Sequence, residues 1–268
     1  MLNLENVEFK SKNELKVLCP VIFSDKSSGE VSKHYTHIPT SKVIDDMATL
    51  GWGVVDAKSV KARKENTKGY QKHLVIFRNN DVVINGDDGD TVFPQVLLTN
   101  SHDGKNAFTF TAGLFRMICE NGLVISTSTF EDVKMRHMGY SFEELQVKIK
   151  EMVEKLPLTV ESMNKMKETE IGEKQAVEFA KKALNTRFTD KELKRIKINF
   201  EELLTPTRTE DEGKDLWSVF NVVQEKIISG DFEYTTANKV RKAREIKNFK
   251  QDQKINKDLF ELALEYAQ

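Results

Sequence analysis

Apolar and polar residues alternate through much of the first half of the chain, and the period of about two gives way to about 3.6 near residue 140. Leu15 to Phe23, Gly53 to Lys64, Tyr70 to Arg78, Val82 to Asn85 and Val92 to Thr99 are apolar or alternating runs bounded by Gly, Asn and Asp. Each predicts a strand. The stretch NSHDGKNAFTFTAGLFRMICENGLVIST, Asn100 to Thr127, continues the pattern. Ser101 to Gly104 predicts an Asx-type turn, and Phe108 and Phe110 alternate with threonines as in a half-buried strand. Asn121-Gly122 between apolar runs predicts a hairpin, because its central residues tolerate positive φ. One helix interrupts the strands. Val43, Ile44, Met47 and Leu50 lie at helical spacing over Ser41 to Leu50, and Gly51 suits the position that ends a helix.

Beyond residue 140, Phe142, Leu145, Ile149, Met152, Val153 and Leu156 form one stripe, with Ser141 and Glu144 as a capping box and Pro157 as a stop. Thr189 and Glu192 predict a second box, opening a helix that runs toward Leu204 before Pro206. Leu216, Phe220, Val223 and Ile227 line a third helix, closed by Gly230. The expected fold is α+β: a curved antiparallel β-sheet with one inserted helix in the N-terminal half, then a mainly helical C-terminal half. The expected division is a β-rich domain over 1–139 and a helical region over 140–268, packed on it as one unit.

Several strings carry a resemblance. NSHDG, AGLFR and C-NGL in the meander, HIPTSKVIDDMATLGW (His37 to Trp52), GYQKHLVIF (Gly69 to Phe77) and LWSVFNVVQEKI (Leu216 to Ile227) occur in one order. In these blocks the chain resembles the phage/plasmid-like proteins, the domain-of-unknown-function 932 family, over most of its length. The resemblance implies a protein of a phage, plasmid or integrated element acting inside a bacterial host, and it implies no settled biochemical activity.

With 268 residues, 39% of them hydrophobic, the chain can bury a real core. Its two cysteines, Cys19 and Cys119, are too few for a disulfide framework, which points to a reduced, cytoplasmic setting. No apolar run approaches the roughly 18 residues of a membrane span. The opening MLNLENVEFKSKNE lacks the apolar centre of a signal peptide. Forty-one Lys and Arg nearly balance 42 Asp and Glu, so any affinity for nucleic acid must come from segregation of charge.

That segregation exists. Between Asp56 and Arg78 seven basic residues (Lys58, Lys61, Arg63, Lys64, Lys68, Lys72, Arg78) outnumber two acids, while Asp81 to Asp103 holds five aspartates and no Lys or Arg. A second basic run, Asn238 to Lys254, contains Arg241, Lys242 and Arg244 among seven cations against two acids, and is expected to be helical. Such runs can neutralise phosphates. A solvated face explains the same composition.

The local signatures of P-loop NTPases, serine hydrolases, zinc proteases and zinc ribbons are absent, which disfavours an enzyme, and no cofactor or metal is expected. His34 and His37 lack further ligands at a metal-site spacing. Gly86 to Asp90 misses the EF-hand register and reads as a polar turn. His102 and Asp103, with Arg116, are the catalytic candidates, although Asp103-Gly104 also suits turn construction. Arg116 must reach water, a carboxylate or a phosphate. With Asn121, Asn221 and Glu225 it forms a candidate polar cluster. Trp52, Tyr70 and Trp217 are candidates for stacking on a base.

Three functions compete. The first is a nucleic-acid-binding protein, single-stranded DNA foremost, serving recombination or replication as annealing proteins do. The second is a counter-defence protein that binds a host factor or a nucleotide signal. The third is an enzyme on a phosphate-containing substrate, which needs His102, Asp103 and Arg116 to converge. The first is the expected one, with a homo-oligomer as a further partner state and no membrane.

Overall fold

Ser11 and Glu14 cap one another: the Ser11 amide donates to Glu14 Oε2 at 2.8 Å and the Glu14 amide to Ser11 Oγ at 3.3 Å. In a computed structural model of the protein this box opens a helix, α1 (Lys12–Leu18), which a 3-10 turn at Pro20–Phe23 continues. The strand expected over Leu15 to Phe23 is therefore absent, because the two satisfied helix amides outweigh a short apolar run. The structure describes residues 7–62, 64–85, 91–116, 122–124, 133–135, 141–237 and 239–268.

The sheet follows. After α2 (Thr40–Thr49) come β1 (Gly53–Ser59), β2 (His73–Arg78), β3 (Ile84–Asn85), β4 (Thr91–Asn100), β5 (Phe108–Arg116), β6 (Gly122–Val124) and β7 (Val133–Met135). All pairings are antiparallel, in the order β1-β2-β4-β5-β6, with β3 beside β4 and β7 beside β5. The sheet is open. Four long strands, β1, β2, β4 and β5, carry it. His73, Leu74, Val75, Phe77 and Arg78 of β2, and residues 93–100 of β4, are buried on successive positions, the mark of central strands covered on both faces. Val54 pairs with Phe77 and Asp56 with Ile76, so Val55 is a bulge that turns both Val54 and Ala57 inward. Gly51 ends α2 at φ +82°, as its place after the apolar stripe predicts.

Gly122 pairs with Phe115, and residues 117–121 lie outside the described residues. Gly122 opens β6, and the turn expected at Asn121-Gly122 falls on a residue outside the described set.

The chain divides into two compact units, Met1–Leu156 and Pro157–Gln268. Helix α3 (Phe142–Glu154), capped by Ser141 Oγ accepting from the Glu144 amide at 3.0 Å, belongs to the first unit with the sheet. Pro157 sits in the first turn of α4 (Leu156–Glu168), where its missing N–H costs nothing, and so separates two helices without ending helical structure.

The second unit continues through α5 (Glu173–Leu184), α6 (Asp190–Leu193), β8 (Ile196–Ile198), α7 (Phe200–Leu204), α8 (Leu216–Ser229), β9 (Glu233–Thr236), β10 (Lys239–Lys242) and α9 (Phe249–Tyr266). The Thr189–Glu192 box forms, but its helix lasts four residues. Ile196 and Ile198 then pair with Thr236 and Tyr234, giving a second antiparallel sheet of order β10-β9-β8, and Asn199 caps α7 afresh. Leu184, Leu203, Phe232 and Ala243 form a core under this sheet, joined by Phe188, Ile198 and Tyr234. On α8 the expected stripe of Leu216, Phe220, Val223 and Ile227 is buried, and Gly230 closes the helix at φ +75°.

Candidate functional site

The NSHDG segment leaves the end of β4 and builds a buried polar network in the first unit. His73 Nδ1 faces the Gln71 carbonyl oxygen at 3.1 Å and therefore carries the proton, which leaves Nε2 to accept from the Thr40 hydroxyl at 2.8 Å. Thr40 Oγ1 in turn accepts from Asn100 Nδ2 at 2.9 Å. Asn100 also donates to the Ile38 carbonyl at 3.3 Å and accepts from the Ser101 amide at 2.8 Å. Thr40, His73, Asn100 and His102 are all fully buried. Burial drives the His73 pKa down to about 4. The His102 ring lies between those of His37 and His73, with centroids 4.7 and 5.1 Å away.

Asp103 works on the turn itself: its Oδ1 accepts from Ser101 Oγ at 2.8 Å and from the Lys105 amide at 3.1 Å. His102 is closed off from solvent, its amide donating to the Tyr70 carbonyl at 2.9 Å and its carbonyl accepting from the Ser28 amide at 2.8 Å. Arg116 pairs with Val92 at the other end of the β4–β5 ladder, seven registers from the Thr99–Thr109 pair beside the NSHDG turn. At about 3.3 Å per residue that is roughly 23 Å of strand, so the backbone does not bring Arg116 to His102 and Asp103. The convergence that the phosphate-enzyme reading requires is absent from this arrangement. Asn121 lies outside the described residues, as do Arg63 and the Gly86 to Asp90 cluster.

The second candidate site is a basic cleft in the second unit. Arg187, Phe188, Tyr234, Arg241, Lys242, Ala243 and Arg244 line a cavity of about 660 Å³. Arg187 comes from the turn after α5, Tyr234 from β9, and the other cations from β10 and the segment after it. Tyr234 stands directly opposite Arg241 in the β9–β10 ladder, so the two side chains project from one face. The Arg187 guanidinium donates to the carbonyls of Ile227 and Arg244, and so is fixed in direction before any ligand arrives. Its burial lowers its pKa, and its charge lies 5.4 Å from the Phe232 ring centre. Lys242 is paired with Asp231 at 2.9 Å.

The other predicted residues divide between surface and core. Lys58, Lys61, Lys64 and Lys68 are exposed on edge strand β1 and the loop that follows it, and Lys72 is half-buried. Arg78 is buried, with its guanidinium 3.3 Å from the centre of the Phe93 ring, and takes no part in that basic face. The run expected to form a basic helix after residue 238 begins as β10 and reaches helix only at α9. Asn221 is buried and donates to the Trp217 carbonyl at 2.7 Å; Glu225 takes Arg208 in a two-point ion pair at 2.5 and 2.8 Å. Arg208 is thus the charge partner of Glu225. Trp52 and Trp217 are core residues, the latter stacked on Phe220 at 5.7 Å, so neither is offered to a base. Sequence reading missed Arg187, Phe188 and Tyr234. A short alternation around Tyr234 signals its strand, whereas Arg187 and Phe188 carry no local signal.

The model of the domain of unknown function DUF932 matches residues 28–260. The chain belongs to that family. Its matched span takes in both the NSHDG network and the basic cleft. The chain is also similar to two proteins of Escherichia coli (strain K12): the UPF0380 protein YafZ, 28% identical over 254 residues, and the UPF0380 protein YfjQ, 27% identical over 254 residues. Each alignment covers 94% of this chain and 90% of the relative. No solved structure matches it significantly. Among the described residues no helix is long and apolar enough to cross a membrane.

Proposed function

We propose that this DUF932 protein binds nucleic acid, single-stranded DNA foremost, and serves recombination or replication of a phage or plasmid in the bacterial cytoplasm. The observation that carries this reading is the basic cleft, lined by Arg187, Arg241, Lys242 and Arg244 and by Phe188 and Tyr234, residues that come from separate segments. Cations that track a backbone, set beside rings on which bases stack, are the chemistry of single-strand recognition. The exposed lysines of the β1 edge and its following loop are a second patch of the same sign.

The test is fluorescence anisotropy with labelled single- and double-stranded oligonucleotides across a salt series. Binding of single strands at micromolar or tighter affinity is expected, with a log–log salt slope of about −2 for three neutralised phosphates. Arg241→Glu/Arg244→Glu should lose most of it while keeping the circular dichroism of the parent. An unaltered affinity in that variant, or no binding at low salt, would sink the proposal.

A further inference from the structure

We infer that the cleft of the second unit holds the phosphomonoester end of a nucleic-acid strand in preference to an internal phosphodiester. This inference rests on the nucleic-acid reading and adds the chemical class of group that the cleft selects. Its first support is the charge balance. Lys242 is already paired with Asp231, and Glu202 and Glu233 lie near it. Among the described residues no carboxylate lies within ion-pair distance of Arg187, Arg241 or Arg244, although all three line the same cleft. An internal phosphodiester carries one negative charge. A terminal phosphate carries about 1.5 to 2 near neutral pH and offers three strong acceptor oxygens. Three arginine residues line the one cavity, so like charges are gathered there, and a dianion offsets them better than a single charge.

The second support is geometry. Arg187 spends two of its five donors on the Ile227 and Arg244 carbonyls, which orients the remaining edge of its planar fork. Arg241 sits across the ladder from Tyr234, so a cation and a ring are held side by side on one face. A phosphate on the arginines can then place its own sugar and base against Tyr234 or Phe188. At about 660 Å³ the cleft falls within the range of small-ligand sites, the scale of an end nucleotide and far below that of a duplex.

The experiment compares one fluorescent oligonucleotide as its 5′-phosphate, its 3′-phosphate and its doubly hydroxyl-ended form, with inorganic phosphate and a nucleoside monophosphate as competitors. Arg241→Gln, which removes an exposed charge from β10, is measured in parallel, its fold checked by circular dichroism. One phosphorylated end is expected to bind about tenfold tighter than the hydroxyl form, the worth of one charge-assisted hydrogen bond, and Arg241→Gln to erase that difference. Equal affinity for all three oligonucleotides, with binding still falling as salt rises, overturns this inference and leaves the nucleic-acid reading standing. Binding of the nucleoside monophosphate but of no oligonucleotide overturns both.

Discussion

His73 shows what a single buried side chain does to the protein. Its ring is enclosed, its Nδ1–H is committed to the Gln71 carbonyl and its Nε2 to the Thr40 hydroxyl, so the neutral form is the folded form. Burial sets its pKa near 4, whereas the unfolded chain protonates it near the ordinary histidine value of about 6.5. Between those values the unfolded state binds more protons than the native state, so stability falls as pH falls. The contribution is intact above about 6.5, and the loss is complete below about 4, at about 3 kcal/mol. Urea midpoints at neutral, mildly acidic and acidic pH should therefore decline across that window in the parent and less steeply in His73→Gln. Thr40→Val, which leaves His73 Nε2 and an Asn100 donor without a partner, should cost about 1–3 kcal/mol by denaturant titration at neutral pH. The importance of this segment is visible in NSHDG. The roles of Thr40 and His73 are not, since they sit 60 and 27 positions before Asn100 and no local period links them.

Elements are legible where a stripe and a stop signal agree. Helices α2 and α8 end at Gly51 and Gly230 as expected, and β2, β4 and β5 lie on their apolar or alternating runs. Misreadings arise where a local signal is outranked or overlooked. The Ser11–Glu14 box is as readable as the one at Ser141, yet the apolar run after it suggests a strand. In the Thr189–Leu204 stretch the box is right and the length wrong, because β8 exists only where β9 offers it an edge. Gly230 yields the prediction at this scale. A Cβ there would lie 2.5 Å from the Arg244 carbonyl carbon, on a residue already at φ +75°. Gly230→Ala should lower stability by roughly 2 kcal/mol or more, the left-handed conformation alone accounting for about 1–2. Because the Arg244 carbonyl also accepts from Arg187, oligonucleotide binding should weaken with it, which thermal denaturation and anisotropy on the same sample would show.

For the whole molecule, a net charge of −1 conceals two basic surfaces, one in each unit. Lys61→Glu/Lys64→Glu and Arg241→Glu/Arg244→Glu test the two surfaces one at a time: a variant that removes phosphate contacts should reduce the magnitude of the salt slope by about 0.7 for every phosphate left unneutralised. A salt slope unchanged in the lysine variant would confine binding to the second unit. The family, the α+β order of elements, the helix stops at glycine and the segregation of charge follow from sequence alone, because each is written in neighbouring residues or in a short period. Folding in three dimensions settled the rest: Arg78 is buried against Phe93, Arg116 stands at the far end of the ladder from His102, and Arg187 meets Arg241 and Arg244 in one cleft. Those outcomes depend on residues that lie far apart in sequence and meet through strand register and packing, which no local pattern encodes.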